Sequence, residues 1–488
     1  MKDKPINVIS RRGFIRQAAC AALGTGALSS AIGDLRLINS AVAQSAITDY
    51  KALVCIFLSG GNDSNNLIIP TIPAEHDNYS AIRTDVLAIP ISGAPNVAIQ
   101  LNPQSSDGHD YGLHPACPEL ATLFSEDKLA VLFNTGTLVY PMTRAQYRSG
   151  ALQRPPQLFS HSDQVTQWQT SIPDRPPLTG WGGRCADLLA AVQPGAPISL
   201  SVTLAGANTF EVGNIVSQYS VTTSGAINLS SATGARFQSL TNILALPYPN
   251  LQVQAYSDVG EHAIQTGGLL NATIAPTSAA NYWTVPFPTT VTSPTGGNPF
   301  SSRLASQLRM VARLIEAGNR PAASGGFGMK RQIFFCEVGG YDTHAGQTPG
   351  SGQTTVGSHA NLLAELSQGM HAFQRAMEQL GLHNNVTTFT ASDFGRTFPC
   401  NGEGSDHGWG SHHLIMGSAV NGRRTFGTFP TLAVNGPDDT DTGRWIPTTA
   451  IDQYFATLAS WFGVDSGNLS TVFPNLGRFS TPDLGLFV

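Results

Sequence analysis

Five short apolar runs, partly β-branched and bounded by glycine or polar residues, mark out this chain: Leu53–Ser59, Lys128–Asn134, Arg331–Val338, Val386–Thr390 and Leu414–Val420. Runs of that length and make-up predict buried strands. Between the later ones the apolar positions recur at steps of three and four instead. Leu363, Leu366, Met370, Phe373, Met377 and Leu380 lay one stripe along a helix predicted over His359–Leu382, and Gly381 suits its end. Leu304, Leu308, Val311 and Ile315 do the same in the preceding segment, which stops at Gly318. A final helix is predicted in IDQYFATLASWFGV, capped by a threonine of Pro447-Thr448-Thr449, with Tyr454, Leu458 and Trp461 facing inward. Strand and helix in alternation predict an α/β fold, a mainly parallel sheet with helices on both faces.

The segment 195–300 breaks this pattern. Residues 201–300 hold only four charged side chains, Glu211, Arg236, Asp258 and Glu261, and fragments such as ISLSVTL and QYSVTTSGAINLS alternate as short strands do. A β-rich insertion is expected, either a cap over the site or a surface excursion or subunit contact. Pro321–Gly328 is a turn-rich, flexible joint back to the sheet.

At the N-terminus, Ser10-Arg11-Arg12-Gly13-Phe14-Ile15-Arg16 fits a twin-arginine export signal, followed by a weakly apolar stretch from Ala18 to Ile32 and a small-residue cleavage pattern at Ala41-Val42-Ala43. Residues 1–43 are therefore expected to be removed after passage through the twin-arginine export machinery, leaving a periplasmic or secreted protein over 44–488. No apolar run reaches the roughly 18 residues of a membrane span, so no transmembrane anchor is expected in the mature chain. Of 27 basic and 32 acidic residues, the signal takes six and two, which leaves 21 against 30. That acidic balance argues against a nucleic-acid surface, and an anionic substrate would need a local positive centre. Cys55, Cys117, Cys185, Cys336 and Cys400 are scattered without CxxC spacing, so no dense disulfide framework is expected.

Chemistry-bearing residues stand where apolar strands run out. Asp63 follows one strand in VCIFLSGGND, Asp342 and His344 follow another in FFCEVGGYDTH, and Asp393 follows a third in VTTFTASDFGRT. Ligands of open α/β sheets bind at the carboxyl ends of strands, so these residues can converge on a metal ion from distant parts of the chain. Asp342 and Asp63 each have a plainer alternative in a turn that bonds its own backbone. DHGWGSHH places three of the twelve histidines within seven positions, His407, His412 and His413; His407 or His412 is the candidate ligand, and His413 reads as strand packing. Arg396 in SDFGRT is a candidate holder of an anionic oxygen, or a partner of Asp393.

Together GGNDSNN, GGYDTH, SDFGRT, DHGWGSHH and GRWIPTTAIDQYFATLASWFGV resemble the DUF1501 family of exported proteins, grouped with the alkaline phosphatase and sulfatase superfamily, over about residues 50 to 465. The resemblance implies an alkaline-phosphatase-like fold with two adjacent metal sites beneath a phosphoryl or sulfuryl group. Asp63 and Asp393 would belong to one site; Asp342, His344 and a histidine of DHGWGSHH would belong to the other. Phe394 stands where the superfamily has a histidine, so either His407 substitutes for it or one site is weak or empty. The superfamily's nucleophile position matches LFSHSDQ, making Ser160 and Ser162 candidates with His161 as ligand or proton carrier; Ser162 reads equally as a helix cap. No Cys-x-Pro-x-Arg occurs, which disfavours a formylglycine enzyme. The implied function is a metal-dependent hydrolase of small or polymeric phosphate or sulfate esters, with one or two divalent ions, zinc or manganese. The alternative is an envelope or extracellular binding or assembly protein that keeps the fold without catalysis.

Overall fold

In the strand Lys51–Ser59 every residue from Ala52 to Leu58 is buried, which a strand achieves only when both faces of its sheet are covered. The computed structural model describes residues 47–193, 195–227, 233–278 and 284–488; the expected export signal, residues 1–43, lies outside them. Thr48–Val488 forms one compact unit, and no helix among the described residues is long and apolar enough to cross a membrane.

The main sheet holds, in chain order, β1 (Lys51–Ser59), β2 (Leu129–Gly136), β3 (Ser201–Thr203), β4 (Tyr219–Thr222), β5 (Gly225–Ala226), β6 (Arg331–Gly339), β7 (Val386–Ser392), β8 (Ser411–Met416), β9 (Thr425–Phe426) and β10 (Thr449–Ala450). They are ordered β9-β2-β8-β7-β1-β6-β3-β4-β5, with β10 on β2. The pairs β1–β6, β1–β7, β6–β3, β3–β4, β2–β9 and β2–β10 are parallel, whereas β8 runs antiparallel to both β7 and β2, and β5 antiparallel to β4. The result is the mixed, mainly parallel α/β sheet expected. Register decides which strand ends meet. Leu58 pairs with both Val338 and Ser392, so the chain leaves β1, β6 and β7 at one edge, and the antiparallel β8 enters at that same edge.

An aromatic layer covers one face: Trp181 stacks on Phe455 at 4.5 Å and meets Phe210 at 4.8 Å. The helices Arg303–Asn319 and Ser358–Gln379 form where the stripes predicted them and pack against each other. Four details differ from expectation. The final helix Ile451–Phe462 is capped at Ala450, whose N–H donates to Gln453 Oε1 at 2.9 Å, because Thr449 is drawn into β10. Trp461 sits at the rim, stacked on Phe487, while Tyr454 and Leu458 are buried as expected. The insertion carries short strands, β3 to β5, but also the helices Gly234–Leu244 and Leu251–Ile274, so it is more helical than β-rich. Polar Ser, Thr and Asn along those helices hid their period. Pro321–Gly328 is tied down rather than loose: Phe327 and Gly328 N–H groups donate to the Ala317 and Arg320 carbonyls.

Candidate metal centre

At the shared edge the chain must turn sharply. Gly60 has φ +116°, and a side chain there would strike the Asp342 backbone, so the β1 turn can lie against the β6 turn only because residue 60 is glycine. Gly60 N–H donates to Asp393 Oδ1 at 3.0 Å, and the Asn62 N–H donates to Ser392 Oγ at 2.9 Å. These bonds bring the exits of β1, β6 and β7 together.

His161, Asp342 and His407 each turn a donor atom toward one point, and these atoms lie within 4.8 Å of one another. His161 begins the helix His161–Thr170. Its Nδ1–H donates to Asp393 Oδ2 at 2.7 Å, and its Nε2 stands 3.5 Å from Asp342 Oδ2, sealed from solvent without a hydrogen-bond partner. His407 Nδ1–H donates to the Phe159 carbonyl at 2.7 Å, leaving Nε2 3.4 Å from Asp342 Oδ1. His344 is anchored likewise through Nδ1 to Asp406 Oδ1 at 3.0 Å, with Nε2 3.3 Å from Asp342 Oδ1. A carbonyl only accepts, so His407 must protonate Nδ1 and a neutral ring then bares Nε2. With its Nδ1 donating to a carboxylate, His344 likewise bares Nε2 when neutral, and the two Nε2 atoms are 2.7 Å apart. Facing lone pairs repel at that distance unless a proton lies between them; an ion bonding both rings would open the separation to about 3.3 Å.

The donor set fits a divalent ion. Bonds of about 2.0–2.1 Å in tetrahedral geometry set donor atoms about 3.3 Å apart, which the three distances from Asp342 match. Oxygen acceptors behind each histidine are the outer shell that orients metal-bound imidazoles. Burial alone would raise the Asp342 carboxyl, but the Arg396 guanidinium holds it below the usual carboxylate range; burial pushes His407 down. Both shifts favour the deprotonated, ligating forms. Phe394 does not ligate: its buried ring packs at 4.5 Å against His407 and 4.8 Å against His161, a hydrophobic backing for both imidazoles.

Two residues expected in the site lie elsewhere. Asp63 is fully buried in an ion pair with Arg83 and accepts from Gln347, and although burial alone would raise its carboxyl, these partners and His359 hold it low. His412 is buried in β8, accepts the Asn134 N–H at 3.1 Å through Nδ1, and stacks on Phe429; a bulge between Ser411 and His413 sets its direction. Among the described residues, Asp63 spends Oδ2 on Arg83 and Gln347 while its Oδ1 is buried without a hydrogen-bond partner, Asp393 serves His161, and one donor cluster forms, His161, Asp342 and His407. Arg396, 1% exposed, spends its donors on the Gly60, Gly61, Tyr341 and Ser405 carbonyls and on Asp342. It fixes the turns and grips the Asp342 carboxylate. Ser160 occupies the cap position of the helix, yet its Oγ donates to Asp163 Oδ2 at 2.7 Å instead of capping; Ser162 lies inside the helix and bonds the same carboxylate at 3.2 Å. Neither hydroxyl is bonded to a donor of the metal cluster.

Arg444 was not expected. Its guanidinium lies 4.3 Å over the Phe159 ring, its Nε–H donates to the His407 carbonyl at 2.8 Å, and its terminal nitrogens have no hydrogen-bond partner among the described residues. It is a cation beside the cluster with donors to spare. Nothing in GRWIPTT signals that it folds back over His407.

A model of the family described as "Protein of unknown function (DUF1501)" matches residues 311–468, a span that holds Asp342, His344, Asp393 and His407 but not His161. No curated protein matches the chain. Among solved structures, the chain is similar to the crystal structure of PsFucS1 sulfatase from Pseudoalteromonas sp., at 10% identity and TM-score 0.32, covering 93% of this chain and 77% of that one. That likeness is too distant to carry chemistry across.

Proposed function

We propose that this is an exported hydrolase of phosphate or sulfate esters that works with one divalent ion, zinc or manganese, held by His161, Asp342 and His407. The observation that carries the proposal is the set of imidazoles anchored through Nδ1 to oxygen acceptors, with Nε2 turned on one carboxylate. Export rests on the SRRGFIR motif. When bound, the ion supplies Lewis-acid polarisation of an ester oxygen and lowers the pKa of water. The chain's own residues do the rest. Asp393 keeps the His161 proton on Nδ1, Arg444 reads the anion's outer oxygens, and Phe394 keeps water from behind the rings. His344, half exposed and backed by Asp406, carries a proton on Nε2 to the departing alcohol oxygen, and Asp406 stabilises the imidazolium.

His344 also favours a second reading. Three protein donors leave a position open for chemistry, whereas four close the site and make the ion structural; the 3.3 Å approach of His344 to Asp342 suits a fourth ligand. In that case the chain is a non-catalytic envelope or extracellular protein. Substituting His344 by Ala separates the two. The hydrolase proposal expects the metal to stay, turnover of 4-nitrophenyl phosphate or sulfate to persist in part because that leaving group needs little protonation, and alkyl ester turnover to collapse. Loss of the metal with no turnover by the parent protein establishes the structural reading.

A further inference from the structure

A cleft of about 480 Å³ is walled by Ser59, Gln169, Asn208, Thr209, Gln218 and Glu337, with Phe57, Val165, Ala207 and Val212 as its apolar part. The size lies within the range of small-molecule sites, about 300–1,000 Å³. Two links join it to the donor cluster. His161, Val165 and Gln169 recur at steps of four on one helix, so the face that offers His161 to the ion continues as the cleft wall. Ser59 precedes Gly60, whose N–H holds Asp393.

The lining chemistry is narrow. The walls carry no lysine or arginine, and Glu337 supplies a carboxylate, so an anion is repelled here and belongs at the ion and Arg444. The amides are pre-set. Gln169 Oε1 accepts the Thr209 N–H at 2.8 Å, and Gln218 Oε1 accepts from Asn208 Nδ2 at 3.0 Å. Each oxygen is thereby occupied, and each Nε2 is left without a partner among the described residues. Fixed amide donors beside a carboxylate acceptor complement hydroxyl groups, which both give and take hydrogen bonds.

We infer that this cleft binds a neutral, hydroxyl-rich moiety, a sugar unit, as the alcohol part of the ester; the inference rests on the hydrolase proposal. The test compares glucose 6-sulfate and glucose 6-phosphate with the matching 4-nitrophenyl esters, using the metal-loaded full chain and the variants Gln218→Leu and Glu337→Gln. The expected result is that either variant lowers the sugar-to-aryl ratio of kcat/KM about tenfold, the equivalent of one lost hydrogen bond of about 1.4 kcal/mol. Hydrolysis of aryl esters with a ratio unmoved by both variants overturns the cleft assignment and leaves the hydrolase proposal standing. If no ester is cleaved, the hydrolase proposal fails, and the cleft is judged by saturation-transfer NMR with methyl α-glucoside. A signal weakened in both variants keeps the sugar site; no signal, or one equal in all three proteins, removes it.

Discussion

Replacing Asp63 by Ala separates a structural carboxylate from a ligating one. Asp63 and Arg83 are both 0% exposed and paired, and Arg83 also donates to the Thr397 and Phe398 carbonyls, with its Nε unpartnered among the described residues. Removing the carboxylate strands a guanidinium in the interior, a loss of roughly 3–5 kcal/mol. With an unfolding entropy near 2 cal/mol/K per residue over a chain of this size, that lowers Tm by about 3–5 °C. The sign with pH follows from the depressed carboxyl: the pair's stability is present above the unfolded pKa near 3.8 and is lost as pH falls through the lower folded value. Scanning calorimetry of parent and variant reads the loss, and atomic emission reads the metal. The expected pattern is a lower Tm with metal stoichiometry intact. A variant that keeps its Tm but loses its ion refutes the assignment of Asp63 to the core.

Three further outcomes are expected. Stability should peak near pH 6.5 in denaturant titrations: burial holds His114, His412 and His413 down at about 3 and His359 at about 4, so each loses stability as pH falls below 6.5, while burial raises Glu211 and Asp452 to about 8, so each loses it as pH climbs from about 4 to 8. The slopes are about 5 kcal/mol per pH unit on the acid side of neutrality before the two acids offset about half, and about 3 in the opposite sense between 6.5 and 8; a maximum above pH 8 contradicts the burial of those acids. Substituting Gly60 by Ala should drive Asp342 from its place and abolish metal binding in a chelator competition; retained affinity shows that the turns do not need this contact. Asp393→Asn should weaken metal affinity about 10–100-fold through His161, and an unchanged affinity removes Asp393 from the outer shell.

Much of the architecture was legible because strands buried on both faces must be continuous apolar runs, and β1, β6 and β7 ended where glycine and Asp said they would. The site was half legible for the same reason: strand ends locate Asp342, His344 and Asp393 at one edge, and the glycines around His407 allowed its close approach. What a linear pattern does not contain is side-chain partnership. Asp63 and Asp342 both follow glycine-rich strand exits, yet Arg83, twenty residues along on a helix, claims one, and Arg396 is consumed by carbonyls of three separate turns. His407 and His412 differ only in whether β8 has begun and which way its bulge turns them. His161 and Arg444 come from helix and loop segments far from those edges, and only folding brings them to the same cation site.

Whether one ion sits among His161, Asp342 and His407 is tested most directly by anomalous diffraction at the zinc and manganese edges, on crystals of the protein purified without chelator. A single peak bonded to His161 Nε2, His407 Nε2 and the Asp342 carboxylate at about 2.0–2.2 Å is predicted. No peak after loading with either metal, or a peak on Asp63, contradicts it.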